Sequence, residues 1–302
     1  MKNSPGSAKT PDITQKTRVL PGLASIASSY DAILSDIWGV VHDGHQHFPA
    51  AADALTRYRA AGGKVVLITN APRPNGPIVA QLDELGVPRS AYDGIVTSGD
   101  ATIALIEARG LAPLHHIGPD RDLALFEEAR ARTGLTPALS GLAQASYVVC
   151  TGLFDDDHET PDDYSATLET MLARNLEMIC ANPDIVVHRG ATLLYCSGAL
   201  AQKYAAMGGR VALAGKPYAP IYDMALNLTG RRSGRVLAIG DAVATDMLGA
   251  MEQNLDALFV THGIHRETLH PEGNVMLNGE ALHSFLGDHQ ISPRYAMNML
   301  RW

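Results

Sequence analysis

The chain has 302 residues, 46% hydrophobic and 19% charged, which is long for one core and comfortable for two, so a well-buried globular protein is expected. A formal net charge of −8, with no basic run beyond the pair Arg231-Arg232, disfavours a nucleic-acid backbone as partner. No apolar run approaches a membrane span, and the basic N-terminal stretch lacks a hydrophobic signal core. Cys150, Cys180 and Cys196 show neither metal-type pairing nor an even count, so the chain reads as a reduced, cytoplasmic protein.

Residues 1–17, rich in Ser, Pro, Lys and Thr, read as a flexible arm. A strand follows over 31–36, where Ala32, Ile33 and Leu34 run into Asp36 and a turn at Trp38-Gly39. In an open α/β sheet the ligand crevice lies beyond the carboxyl ends of such strands, so Asp36 is a candidate nucleophile. A helix over 50–61 carries the apolar face Ala51, Ala54, Leu55, Tyr58 and stops at Gly62-Gly63. The strand from Lys64 to Ile68 ends in Thr69-Asn70, and a second helix with Ile78, Val79, Leu82 and Leu85 stops at Gly86. This alternation is the βαβ pattern of a parallel sheet.

Between about 99 and 190 the alternation recurs on a smaller scale, with strands over 147–150 and 177–180 around a helix over 164–174. This interval is the candidate cap. The acidic loop Gly152 to Glu159 within it reads as solvated. Further on, Gly215-Lys216-Pro217 precedes the helical pattern Ile221, Met224, Ala225, Leu228, and the strand Val236 to Gly240 ends in Asp241, with Asp246 five residues later. Taken singly, Thr69-Asn70 is a turn, Lys216 a surface lysine and Asp246 a helix N-cap for the segment from Met247. Asp, Thr, Lys and a paired Asp, each at a strand end or helix start, argue instead for one site.

The order and spacing of these clusters resemble the haloacid dehalogenase-like phosphatase superfamily. Asp36-Ile37-Trp38-Gly39-Val40 matches its first motif, Thr69-Asn70 its second, Lys216 its third, and the segment from Gly240-Asp241 to Thr245-Asp246 its fourth. The long insert before Lys216, with Gly152-Leu153-Phe154, Asn182-Pro183-Asp184, Cys196-Ser197-Gly198-Ala199-Leu200 and Gly215-Lys216-Pro217, is similar to the NagD-like, class IIA branch. The resemblance spans about 18 to 264. It implies a doubly wound, parallel-sheet, Rossmann-like α/β core over 18–98 and 191–302, with an inserted C2-type α/β cap over 99–190.

It also implies a Mg²⁺-dependent phosphatase for a small phosphorylated metabolite, working through an aspartyl-phosphate on Asp36. Phosphoryl transfer asks a protein mainly for in-line positioning and charge stabilisation. Mg²⁺ would be held by Asp36, the Trp38 backbone carbonyl and Asp241, with Asp246 beside or behind them. Thr69, the Asn70 N–H and Lys216 would hold phosphoryl oxygens. A homodimer through the cap is left open.

One departure stands out. Most phosphatases of this superfamily carry a general-acid Asp two residues after the nucleophile, and here that position is Trp38. Losing a general acid typically forfeits about 10² to 10⁴ in rate. Either the substrate has a good leaving group, or His42, Asp43 or His45 substitutes as acid, or the chain is a nearly inactive phospholigand-binding relative. A haloacid dehalogenase proper is disfavoured, because the Asp241 and Asp246 pair favours a metal that dehalogenation does not need. His115-His116, His262, His265 and His270 read as surface or hydrogen-bonded residues.

Overall fold

Aliphatic runs too short for helices become buried strands in this chain, and the computed structural model describes them within residues 16–134, 137–189, 192–230, 235–271 and 277–302. All but the last residues of the arm, and the Arg231-Arg232 pair, lie outside this range. In chain order the strands are β1 (Arg18–Val19), β2 (Ala32–Ser35), β3 (Lys64–Thr69), β4 (Gly94–Thr97), β5 (Leu114–Ile117), β6 (Tyr147–Cys150), β7 (Glu177–Cys180), β8 (Val186–Arg189), β9 (Thr192–Tyr195), β10 (Arg210–Leu213), β11 (Val236–Gly240), β12 (Asp256–Val260) and β13 (Tyr295–Met297).

Seven of them form the core sheet in the order β1-β13-β12-β11-β2-β3-β4, every pair parallel. After the short edge strand β1, the chain enters the centre at β2, winds outward through β3 and β4, and returns on the other side of β2 at β11. The winding direction reverses between β2 and β11, so the crevice of a doubly wound sheet opens at their carboxyl ends.

Both faces of the sheet are covered, which is why these strands read as continuous apolar runs. Ile33, Val65, Leu67, Leu237 and Ile239 pack under Ala51, Ala54 and Leu55 of the helix Pro49–Ala60. Their neighbours Leu34, Val66 and Ile68 point the other way, under Ile221, Tyr222 and Ala225 of the helix Ala219–Thr229. Truncating one such side chain, as in Leu67→Ala, costs about 2–5 kcal/mol.

A second, four-stranded parallel sheet runs β10-β7-β6-β5 and is the cap. Val148, Cys150, Met178 and Cys180 face Leu168, Leu200 and Tyr204 on one side, while Tyr147, Val149 and Ile179 face Ile106 and Leu125 on the other. The cap therefore reaches beyond the boundary expected at 190. The helix Ser197–Ala206 packs on its sheet, and β10 pairs with β7. The sequence gives little sign of this, because β10 is four residues long, only partly buried, and runs straight into the Gly215-Lys216 cluster of the core. All three cysteines are free and buried. Among the described residues no helix is long and apolar enough to cross a membrane.

The antiparallel hairpin β8–β9 leaves the cap and reaches down to the core crevice. Its contact is direct, since the Trp38 indole N–H donates to the His188 carbonyl.

Candidate active site

Adjacent strand ends assemble the site. Asp36 is the first residue past β2, and its N–H donates to the Ile239 carbonyl of β11 at 2.8 Å. Asp241 is the first residue past β11, and Thr69 closes β3. The turn after Asp36 needs Gly39, whose φ is +81° and where a Cβ would sit 2.1 Å from Asp241 Oδ2. Asp241 Oδ2 in turn accepts the Ile264 N–H at 2.7 Å.

Lys216 arrives from 180 residues away and is 2% exposed. Its Nζ donates to Asp36 Oδ1 and to Asp246 Oδ1, both at 2.6 Å. Its backbone is clamped by the Asn70 side chain: Oδ1 accepts the Lys216 N–H at 2.7 Å, and Nδ2 donates to the Lys216 carbonyl at 3.3 Å and to Asp184 Oδ1 at 3.0 Å. Asp246 does not cap a helix that begins at Met247. It lies inside the wide turn Val243–Met247, with Oδ2 folded back to the Ala242 N–H at 3.1 Å.

Asp36, Asp241 and Asp246 are all buried, and each offers an oxygen within 4.8 Å of the others. At an effective dielectric near 20 each such pair repels by roughly 3–4 kcal/mol. Lys216 offsets only part of this, leaving two surplus negative charges among the four groups. Burial, then the charge of Asp246, pushes the Asp36 carboxyl up against the pull of Lys216. Asp241 is raised to about 7 by burial and by Asp246. Burial opposes the charge of Lys216, but Asp246, Asp36 and Asp184 outweigh it and hold the ammonium well above its usual range. A cluster of hard oxygens with this surplus suits a divalent cation such as Mg²⁺.

These groups line a cavity of about 80 Å³ together with Trp38 and Thr69, roofed by His188 of the cap hairpin. A larger cavity of about 300 Å³ adjoins it between core and cap, and Trp38, Thr69, Asp184 and Val187 belong to both walls.

Of the three substitute-acid candidates the structure brings only Asp43 to the small cavity. Burial raises its carboxyl, but its Oδ1 takes the N–H groups of Gln46 and His45, each at 2.9 Å, which hold it below the usual carboxylate range. His42 turns inward behind Trp38, with ring centroids 5.0 Å apart, and its Nδ1 accepts the Gly44 N–H at 3.0 Å. Burial lowers its pKa to about 4. His45 is exposed and lines neither cavity. The cause is the tight reversal after Gly39, whose N–H returns to the His42 carbonyl at 2.8 Å and turns the following residues away.

Several residues to which the sequence gives no role reach these cavities, among them Asp184, His262 and His188. Asp184 ends the Asn-Pro-Asp segment, and His262, expected at the surface or in a hydrogen bond, lines the small cavity. His188 follows the apolar run Ile185-Val186-Val187 and precedes Arg189, and its buried Nδ1 has no hydrogen-bond partner among the described residues. The only signal for His188 in the sequence is its place at the end of a short apolar run, the same signal that marks Asp36 and Asp241. The acidic cap loop is largely paired with basic side chains, Asp156 with Arg121 and Asp155 with His158, and Asp156 lines the larger cavity.

Fold and site together define a capped α/β hydrolase with a buried carboxylate centre at its switch point. The chain belongs to the haloacid dehalogenase-like hydrolase family. The model of haloacid dehalogenase-like hydrolases matches residues 33–132, and a second, HAD-hydrolase-like model matches 213–278. A crystal structure of a haloacid dehalogenase-like family hydrolase from Brucella suis 1330 is 42% identical with a TM-score of 0.80, covering 93% of this chain and 100% of that one. NagD from Escherichia coli K-12 shares the fold, with a TM-score of 0.63 at 20% identity over 89% of this chain and 96% of its own. Among sequence relatives, a D-glycerol 3-phosphate phosphatase of Mycobacterium tuberculosis is 29% identical over 246 residues, 80% of this chain and 66% of that relative's length.

Proposed function

We propose that the protein is a Mg²⁺-dependent phosphatase that hydrolyses a small phosphate monoester through an aspartyl-phosphate on Asp36. The observation that carries this reading is the Lys216 ammonium bridging Asp36 and Asp246 beside Asp241, buried under a cap. The naming of a relative as a phosphatase supports it.

Asp36 attacks phosphorus as the ester oxygen leaves, and water then cleaves the acyl phosphate and regenerates the carboxylate. Thr69 O–H and the Asn70 N–H hold phosphoryl oxygens, while Lys216 supplies a fixed positive charge and keeps the Asp36 carboxylate aimed. Asp36, the Trp38 carbonyl and Asp241, with Asp246 adjacent, would hold Mg²⁺. An ion held there would supply positive charge against the negative charge building on the phosphoryl oxygens. The cap excludes water from the first step.

Trp38 carries no transferable proton, and its N–H is already given to His188. Asp43 is held ionised by its own turn and His42 is neutral and turned away. Among esters that bind equally well, those with better leaving groups are therefore expected to be cleaved faster. Phosphate release from p-nitrophenyl phosphate and from a panel of phosphorylated metabolites, with Mg²⁺ and with chelator, tests the reading. No Mg²⁺-dependent release from any of them would sink it.

A further inference from the structure

The larger cavity is the space next to Asp36 that suits the leaving-group half of a bound ester, because it shares Trp38, Thr69, Asp184 and Val187 with the small one. Three guanidinium groups stand on its wall: Arg73, Arg121 and Arg189. Arg121 gives two N–H groups to Asp156, at 3.2 and 2.7 Å, and Arg189 pairs with Asp157.

Arg73 differs from both. Its Nη2 donates to Gln81 Oε1 at 2.8 Å, and among the described residues no carboxylate lies within ion-pair distance of it. A guanidinium has five donors in a planar fork that fits a carboxylate, so most of this fork is unspent. Partial burial removes the hydration that would otherwise satisfy the charge. That burial lowers the pKa of Arg73, an effect that Asp122 only partly offsets.

Arg73 is also held in place through its backbone. Pro72 and Pro74 flank it and restrict the backbone, and at Gly99 a Cβ would come within 2.5 Å of the Arg73 carbonyl, so the loop lies hard against the helix Ser98–Glu107. Arg73 is four residues beyond Thr69, so one short rigid segment joins the phosphoryl site to this cation.

We infer that the substrate is a phosphorylated hydroxy acid, whose carboxylate is received by Arg73 in the larger cavity while its phosphate sits at Asp36. The inference rests on the phosphatase reading for where the phosphate sits. A carboxylate fits better than a second phosphate because Asp122, Asp156 and Asp184 share the wall. One extra negative charge balances Arg73, and two would face those carboxylates unpaired. In the reaction the P–O ester bond breaks, water supplies oxygen to phosphorus, and its proton ends on the released alkoxide, giving the hydroxy acid and inorganic phosphate.

A matched pair of probes isolates the carboxylate: 3-phosphoglycerate and glycerol 3-phosphate differ by a carboxylate in place of a hydroxymethyl group. Their binding is measured by calorimetry, with Mg²⁺, to the Asp36→Asn protein and to the same protein carrying Arg73→Gln or Arg73→Lys. The expected result is a preference for 3-phosphoglycerate of about tenfold or more, reduced to within about twofold by Arg73→Gln and partly kept by Arg73→Lys. The ratio within each protein cancels any general loosening. Equal affinities in the parent, no binding of either probe, or a preference untouched by Arg73→Gln would overturn the inference. Hydrolysis of p-nitrophenyl phosphate by the unmodified protein reads the phosphatase proposal separately. Turnover with a flat binding ratio would remove the inference alone, and an intact ratio without turnover would remove the phosphatase reading alone.

Discussion

The core and the cap meet at one crevice with different kinds of chemistry. On the core side, the ends of β2, β3 and β11, the turn Val243–Met247 and the loop before the helix Ala219–Thr229 present a dense, almost fully buried set: Asp36, Thr69, Asp241, Asp246 and Lys216, with Lys216 bonded to Asp36 and Asp246 at 2.6 Å. On the cap side, the hairpin β8–β9 presents Val186, Val187 and His188 with a mostly half-buried backbone. Charge concentrated on rigid strand ends suits bond making and breaking, where small misplacements are costly. A hairpin with looser packing suits discrimination among substrates, because it can change without disturbing the charged centre.

The first way to break this division is at its charged side. Asp36→Asn keeps shape and removes the nucleophilic oxygen, so Mg²⁺-dependent phosphate release should fall by about 10⁴ or more while the thermal transition remains cooperative. Steady-state phosphate assays beside calorimetry check both halves, and retained turnover contradicts the mechanism.

Removing the cation tests the packing of the same side. Lys216→Met leaves Asp36 and Asp246 facing each other unpaired, and we expect a loss of about 3–5 kcal/mol in chemical denaturation without metal. Mg²⁺ should restore part of it, since a divalent ion opposes the same repulsion. A neutral effect on stability would mean that the carboxylates take up protons instead.

Trp38 belongs to the core but touches the cap, and so sharpens the comparison. In the unmodified protein, rates should rise steeply as leaving-group pKa falls. Trp38→Asp should speed alkyl esters selectively, by up to about 10²-fold. A flat leaving-group dependence would instead point to a proton donor in the crevice.

The smallest effect concerns pH. Asp241 is held near 7, above its unfolded value, so between about 4 and 7 the metal-free folded state binds more protons than the unfolded one. Stability without metal should therefore fall as pH rises through that window, by at most roughly 1.4 kcal/mol per unit from this group, and flatten above 7. Metal binding displaces the proton, so Mg²⁺ affinity should weaken up to about tenfold per unit below 7. Thermal melts with and without Mg²⁺ from pH 5 to 8 read both trends. A Mg²⁺-induced gain that is constant with pH would show that Asp241 is not a ligand.

Local pattern in the sequence was enough to mark the core side of the crevice. Asp36, Thr69-Asn70 and Asp241 each end an apolar run of strand length, and Lys216 precedes an apolar helix face; singly each could be a turn or a surface residue, and their order along the chain is what points to one site. Only the tertiary structure decided that Lys216 joins Asp36 across 180 residues, that β10 belongs to the cap, and that His42 and His45 turn away while Asp184, His188 and Arg73 face the cavities. The physical reason is range. Periodicity records which residues are buried and where a run stops, whereas strand order, hairpin placement and the direction of a tight turn are set by packing between segments far apart in the chain.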